Sequence, residues 1–437
     1  LSGIGTPLRV ATISVHACPL APPGAWETGG MNIYIREVSR YLSELGVQVD
    51  IFTRRQGPDD HGTDDATVVP FAEHARVIHI DAGPPRYLPK EDVVGYLPEF
   101  ICNMRDFIRN EELSYDVVHS HYWLSGRVSG YFKNVWQVPM VAMFHTLAEL
   151  KNQVSLGPDE TESDVRVGIE RMTVATADRV VASTITDSDH LEQYYDADTG
   201  RITIVPCGVD VRTFHAGSAT AARRALGWSD EAVILFVGRI QQLKGIDVLL
   251  HAAALLAPRV LAGILPPFRV VIVGGRPTGG DDPQAREIER LHALAQDLGV
   301  AEFVRWVGAV EHEALPQYYQ AADVTVMPST YESFGLVAVE SMACGTPVVA
   351  ARVGGLQTTV QDGETGYLIH AREPALYAAR IAEILTQPDL RARLGVAARE
   401  RAATFGWQHV ARQLVGLYED LIREQSTGAP PATVLQQ

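Results

Sequence analysis

The chain has 437 residues, 46% of them hydrophobic and 21% charged, a length that favours two or more domains over one core and a composition of a globular rather than a disordered protein. A formal charge of −16 argues against a nucleic-acid partner, which needs a basic stripe, and no apolar run reaches the ~18 residues of a membrane span. The opening LSGIGTPLRVATISV lacks the basic segment and apolar core of a secretion signal, so the cytoplasm is the expected compartment.

In chain order, LRVATISV, QVDIFTR, RVIHIDA, DVVHSH, VPMVAMFH, RVVAST and RITIVP read as buried parallel strands. Helical patterns lie between them, and the first, NIYIREVSRYLSELG, should end at the glycine cap Gly46. After VPCGVDVRTFHAG the alternation restarts with AVILFVGR, FRVVIVGG, FVRWVG, DVTVMPS, TPVVAAR and GYLIH, with helices expected near 245–257, 284–298, 313–321 and 335–343. The expected class is α/β, with two Rossmann-like, doubly wound domains facing a central cleft. We place them at 1–210 and 211–405, with a hinge within the Gly-rich stretch 206–220. A helix over about 407–424, in a segment 406–425 that packs back on the first domain, precedes a flexible tail 426–437.

The four cysteines, Cys18, Cys102, Cys207 and Cys344, contain no C-x-x-C pair and read as buried free thiols rather than a disulfide framework or a zinc site. The acidic stretches PDDHGTDD and DDPQ read as loops rather than metal ligands, and no metal is expected.

Open parallel sheets bind ligands beyond the carboxyl ends of their strands. The unusual residues cluster at those ends: Gly29-Gly30, His119 and His121, His145-Thr146, Gly238-Arg239, Gly274-Gly275, Glu332 and Gly354-Gly355. TGGMNIYIREV puts two glycines before a helix, which suits a phosphate at the helix N-terminus or is an ordinary loop pair. It is not a G-x-G-x-x-G fingerprint, so no dinucleotide cofactor is indicated. In VGRIQQLKGIDVLL, Arg239 and Lys244 follow a strand end, where two cations suit a diphosphate or are solvated surface charges. PSTYESFGLVAVE places Glu332 in a loop and Glu340 in the first or second turn of the following helix, where the dipole favours a carboxylate.

These blocks, with Glu332 and Glu340 in an E-x7-E arrangement beside GGMNIYI, SHYWLSG, HTLAELKN and VGRIQQLKG, resemble the retaining GT-B glycosyltransferases of family 4 over about residues 8–422. Within that family the resemblance is to the D-inositol-3-phosphate glycosyltransferases, with the sucrose-phosphate synthases next. The resemblance implies a UDP-sugar as co-substrate, no required cofactor, and transfer of a hexosyl group (glucose or N-acetylglucosamine) to a phosphorylated polyol or sugar. It implies that Glu332 holds the donor sugar's hydroxyls and Glu340 the ribose. The backbone at Phe334, Gly335 and Leu336 would line sugar and diphosphate. Arg239 and Lys244 would neutralise the diphosphate, with Gly238, Gly29, Gly30 and Asn32 beside it, and Arg305 would lie along the base-binding backbone. His145 would touch the sugar near O6, although a strand-end histidine is also a common structural feature. A leaving-phosphate oxygen would take the acceptor's proton.

On the acceptor side, the resemblance implies a phosphate held by Lys90, Tyr122, Thr146 and Arg166, in a first domain that binds acceptor while the second binds nucleotide sugar. GPPRYLPKEDVVGYLPEF is closer to the sucrose-phosphate synthases, where Lys151 also meets a phosphate, whereas GGMN departs from their GGQ. Fructose 6-phosphate or fructose is therefore the alternative acceptor. A homodimer is a possible assembly. The rival from another class is a non-catalytic sugar-binding protein of two α/β domains, against which the intact E-x7-E and Arg/Lys set counts.

Overall fold

The computed structural model describes residues 7–21, 29–57, 66–155, 161–275, 283–370 and 372–427. The chain divides into two compact units, one running to Pro206 and resuming at Trp407, the other spanning Cys207–Gly406. The acidic stretch 58–65, Asp281 and Asp282, and most of the C-terminal tail lie outside the described residues.

In the first unit β1 (Arg9–Ile13), α1 (Gly30–Glu44), β2 (Gln48–Arg54), β3 (Val68–Ala72) and β4 (Ala75–Ile80) come first. They are followed by α2 (Lys90–Val93), α3 (Leu97–Asn110), β5 (Val117–His121), α4 (Tyr122–Trp136) and β6 (Met140–Met143). The unit continues through α5 (Ala148–Val154), α6 (Asp164–Thr176), β7 (Arg179–Ala182), α7 (Ile185–Tyr195) and β8 (Ile202–Ile204). The sheet order is β3-β4-β2-β1-β5-β6-β7-β8. Seven of these strands run parallel, and β3 pairs antiparallel with β4 at the edge. That hairpin strand was not expected: Pro70 within VVPFA argues against a ladder strand, and an edge is where a proline is tolerated. Helix α1 closes as its sequence suggests, with Gly46 at φ 83° taking the left-handed turn and its N–H bonded to Ser43 O.

The second unit runs α8 (Ala219–Ala225), β9 (Ala232–Val237), α9 (Ile246–Leu261), β10 (Phe268–Val273), α10 (Pro283–Asp297), β11 (Val304–Gly308) and α11 (Leu315–Ala321). It continues with β12 (Val324–Met327), α12 (Leu336–Ala343), β13 (Val348–Ala351), α13 (Leu356–Thr359), β14 (Gly366–Ile369), α14 (Pro374–Thr386) and α15 (Pro388–Ala403). Its sheet is parallel throughout, in the order β11-β10-β9-β12-β13-β14. Leu250, Leu256, Ile272 and Ile381 are fully buried in its core, each contributing about 1.5–3 kcal/mol.

Helix α16 (Trp407–Thr427) belongs to the first unit, where Trp407 packs edge-on against Tyr34 of α1 with ring centroids 5.4 Å apart. Ser426 and Thr427, expected in the tail, are still helical. Cys18, Cys207 and Cys344 are buried, but Cys102 is exposed, because it lies on the face of α3 opposite Phe100, Met104 and Ile108. No helix among the described residues is long and apolar enough to cross a membrane.

Candidate functional site

In the second unit the strand order reverses between β9 and β12, so the loops leaving those two strands diverge and open a crevice at the carboxyl edge. Gly238, Arg239 and Lys244 come from the β9 side, and Glu332 and Gly335 from the β12 side. Lys244 Nζ lies 2.6 Å from Glu332 Oε2. Arg239 is exposed, and among the described residues no hydrogen bond or ion pair engages its guanidinium.

These loops are locked to one another through the backbone. Thr330 N donates to Leu243 O at 2.8 Å and Gly355 N to Glu332 O at 2.9 Å. A Cβ on Gly354 would stand 2.0 Å from Glu332 O, and one on Gly274 1.9 Å from Gly238 O, so only glycine permits the approach. Gly335, at φ 90°, starts α12 and leaves its first-turn N–H groups at the crevice. Phe334 is buried edge-on against Phe405, so it is its backbone that belongs to the loop.

Glu340 sits in the second turn of α12, buried, with Oε1 2.7 Å from His312 Nε2 and Oε2 accepting from Tyr319 OH at 2.8 Å. Burial and the adjoining Glu340 push the Tyr319 hydroxyl's pKa well up, so it stays a donor. A carboxylate keeps acceptor capacity beyond two such bonds.

Arg305 stands apart from this group. It occupies the second position of edge strand β11, with its guanidinium 5.9 Å over the Trp228 ring, whereas the backbone reaching the carboxyl edge begins at Gly308. Two residues, Trp306 and Val307, lie between them, a span of about 10 Å.

In the first unit the reversal falls between β1 and β5. Two non-glycine residues at the carboxyl edge take the left-handed backbone, Tyr122 at φ 72° and His145 at φ 62°. Such strain costs about 1–3 kcal/mol and persists where surrounding contacts enforce it. Here His145 Nε2 is 3.0 Å from His121 Nδ1, and the Tyr122 hydroxyl accepts from Arg166 Nη1 at 2.8 Å. His16 packs against Tyr122 with centroids 4.6 Å apart, His119 against His121 at 4.4 Å, and His119 Nδ1 meets the Tyr418 hydroxyl of α16 at 2.7 Å. Burial is the main reason these rings stay neutral: it lowers His16, His119 and His145 to about 3 and His121 well below its usual value. Within the His121–His145 contact one neutral ring donates and the other accepts.

Gly30 opens α1, preceded by Gly29 in extended conformation. Asn32 is buried in a tie between loops: its Oδ1 accepts from Gly29 N at 3.3 Å and its Nδ2 donates to Cys18 O at 2.8 Å. Its side chain thus shapes the loop.

Lys90, Lys151 and Arg166 come together around one carboxylate, and Tyr122 and Thr146 join the group through Arg166. Glu162 lies within 3.4 Å of Lys90 Nζ, 2.8 Å from Arg166 Nη1, and in contact with Lys151 Nζ. Arg166 is fully buried; its Nε bonds Glu170 at 2.7 Å and its Nη2 donates to Thr146 O and Oγ1 at 3.0 and 3.1 Å. Glu170 is fixed in turn by Ala148 N at 3.0 Å and by the Tyr195 hydroxyl. Burial works against the Glu162 charge, but Arg166, Lys90 and Lys151 outweigh it and hold its pKa at about 2. Burial lowers the Lys151 pKa.

Sequence reasoning missed Glu162, Glu170, His16, His312 and Tyr319. Glu170 was open to discovery, since it lies four residues from Arg166 on α6, the spacing that brings side chains together on a helix; Glu162 precedes the helix N-cap, Ser163, and its approach to Arg166 is set by the turn into α6. It also missed Arg54, a buried guanidinium that donates to the carbonyls of Ala82, Pro84 and Arg86 and so fastens the loop leading to Lys90.

Two family models match the chain: Glycosyltransferase Family 4 over residues 28–213 and Glycosyl transferases group 1 over residues 218–401. The D-inositol 3-phosphate glycosyltransferase of Geodermatophilus obscurus is 44% identical, covering 98% of this chain and 94% of the relative. The enzyme of the same name from Acidothermus cellulolyticus is 43% identical, covering 97% and 93%. Among solved structures, the sucrose-phosphate synthase of Thermosynechococcus elongatus has a TM-score of 0.85 at 34% identity, covering 95% of this chain and 99% of that one. The Anabaena protein HepE in complex with UDP-glucose has a TM-score of 0.72 at 19% identity, covering 94% and 99%, a likeness of fold. The two Rossmann-like units are those of the GT-B fold.

Proposed function

The chain belongs to glycosyltransferase family 4, and on that premise we propose that it is a retaining hexosyltransferase moving glucose or N-acetylglucosamine from a UDP-sugar to a phosphorylated polyol, D-inositol 3-phosphate foremost. The observation that carries the acceptor class is the gathering of Lys90, Lys151 and Arg166 with the hydroxyl-bearing Tyr122 and Thr146. Three cations and two hydroxyls in one place suit a phosphate monoester, which needs several charge-assisted donors when it leaves water.

On this reading the second unit binds the donor. Arg239 and Lys244 stabilise the charge that grows on the departing diphosphate, the α12 N-terminus adds backbone donors, and no metal is needed for that task. Glu332 holds the sugar hydroxyls and Glu340 the ribose. A leaving-phosphate oxygen takes the acceptor's proton, so no carboxylate acts as a base. The reaction runs in the cytoplasm.

Fructose 6-phosphate is the second acceptor to consider, favoured by Lys151 standing in the same cluster as Lys90 and Arg166. A matrix of UDP-glucose and UDP-N-acetylglucosamine against D-inositol 3-phosphate, fructose 6-phosphate and their dephosphorylated forms decides, with products analysed by mass and NMR. The expected result is an α-linked product from a phosphorylated acceptor only. Equal turnover of free fructose or free inositol would overturn the acceptor assignment, and an inverted anomeric centre the retaining one.

A further inference from the structure

Glu162 has no role in the donor or acceptor chemistry described so far, yet it is the centre of the cation cluster. We propose that Glu162 is an internal anion that competes with the phosphate of the acceptor for Lys90, Lys151 and Arg166, and so sets the affinity that an anion must exceed to enter. This rests on the acceptor reading above.

The geometry carries the argument in three steps. First, each nitrogen of the buried Arg166 guanidinium already has an oxygen partner: Glu170 on Nε, Glu162 and Tyr122 on Nη1, Thr146 on Nη2. An incoming phosphate gains an Arg166 donor only by taking the place of one of them. Second, these partners differ in how firmly they are held. Glu170 is fully buried and bonded to Ala148 N and the Tyr195 hydroxyl, and Thr146 offers its own backbone carbonyl. Glu162 alone among them also faces both lysines, whose side chains are the partly exposed members of the cluster, at 19% for Lys90 and 23% for Lys151. A ligand that reaches the lysines therefore meets the Glu162 carboxylate first.

Third, the charges give the sign. Lys90, Lys151 and Arg166 bring three positive charges, and Glu162 and Glu170 two negative ones, leaving a surplus of one. With Glu162 neutral the surplus would be two, the charge of a phosphate monoester dianion. A carboxylate a few ångströms from an incoming dianion opposes it by Coulomb repulsion, and screening is weak in a half-buried cluster. The opposite role, in which Glu162 merely gathers lysines that would otherwise repel each other, predicts the opposite effect of removing its charge. The Glu162 backbone is independently tied to Asn152, with Glu162 N donating to Asn152 Oδ1 at 2.6 Å, so a neutral isostere keeps its anchor.

The test is calorimetric titration of inorganic phosphate into the full chain and into Glu162→Gln, with UDP as the control ligand. Phosphate should bind Glu162→Gln roughly 10- to 100-fold more tightly than wild type, with UDP unchanged. Phosphate should also inhibit the variant at correspondingly lower concentration. Equal or weaker phosphate binding by Glu162→Gln overturns the inference. If that variant fails to fold, Glu162→Asp, which keeps the charge but withdraws it by one methylene, carries the test: phosphate tightens if Glu162 competes and weakens if it only gathers the lysines. The acceptor reading fails separately. If phosphorylated acceptors are preferred but neither variant tightens phosphate, only the role of Glu162 falls; if neutral acceptors are used equally well and no form binds phosphate, both fall.

Discussion

Lys244 Nζ and Glu332 Oε2 are 2.6 Å apart, so the lysine proposed for the diphosphate and the carboxylate proposed for the sugar hold each other across the switch point of the second sheet. Each therefore positions the other, and losing one leaves its partner uncompensated in a partly buried setting.

Replacing either Arg239 or Lys244 by Ala should lower kcat by at least ~10²-fold with a smaller change in KM, because both act on charge that develops in the transition state. Their behaviour should differ when combined with Glu332→Gln. Lys244→Ala and Glu332→Gln should be non-additive, while exposed Arg239 should add independently of Glu332. Steady-state kinetics of the single and double variants check this, and an effect confined to KM would refute the role of the cations.

Lys90 and Arg166 meet the same carboxylate but should fail differently. Lys90 is partly exposed, so Lys90→Ala should weaken acceptor use by roughly 10- to 150-fold and leave UDP binding and Tm nearly unchanged. Arg166 is fully buried against Glu162 and Glu170; Arg166→Ala leaves Glu162 its two lysines but takes from buried Glu170 its charge partner, which should cost about 3–5 kcal/mol of stability as well as the acceptor. Acceptor KM, UDP calorimetry and thermal melts separate the two outcomes.

The contrast shows how far the sequence could be read. Strands such as AVILFVGR and VPMVAMFH were legible because both faces of a parallel sheet are buried and leave continuous apolar runs. Helices α14 and α15 were overlooked although PALYAARIAEIL carries a helical period. Arg166 was singled out as a ligand, but its engagement by Tyr122 and Thr146, 44 and 20 positions away, depends on β5 and β6, whose ends carry them, coming side by side. For Arg305 the strand was legible, but not that it stands at the second position of β11, some distance before the strand's carboxyl end.

Glycine substitutions offer a paired control for the loop that carries Glu332. Gly354 has φ 44° and its Cβ would meet Glu332 O at 2.0 Å, whereas Gly363 has φ 77° with nothing within 4 Å. Both pay backbone strain of about 1–3 kcal/mol on mutation to Ala, but only Gly354→Ala must also push the Glu332 loop. Gly354→Ala should lose at least ~10²-fold in kcat/KM and bind UDP-sugar more weakly, while Gly363→Ala should lower Tm and keep its activity. Equal activity in the two variants would mean that the Glu332 loop does not need this close approach.

The buried histidines give a pH signature. His16, His119 and His145 have folded pKa values near 3, and His121 lies well below 6.5, whereas in the unfolded chain all four titrate near 6.5. Between those limits the unfolded state binds more protons, so stability rises with pH: it is whole above about 6.5 and is lost as pH falls toward 3. Glu162 acts in the same direction, but only below the unfolded carboxylate value, as pH falls toward about 2. Asp187, raised by burial to about 6, works the other way below that pH, because its folded form keeps a proton that the unfolded chain releases, and it offsets less than one of the four histidine protons. Each histidine should contribute at most roughly 1.4 kcal/mol per pH unit in that range. Urea midpoints should therefore be nearly flat from pH 8 to 7 and fall steadily from 6.5 to 5.5, with net uptake of at least about three protons on unfolding at pH 5.5. His145→Gln should reduce that uptake by about one. A midpoint unchanged between pH 7.5 and 5.5 would mean that the rings carry protons in the folded protein, and the neutral His121–His145 pair would have to be given up.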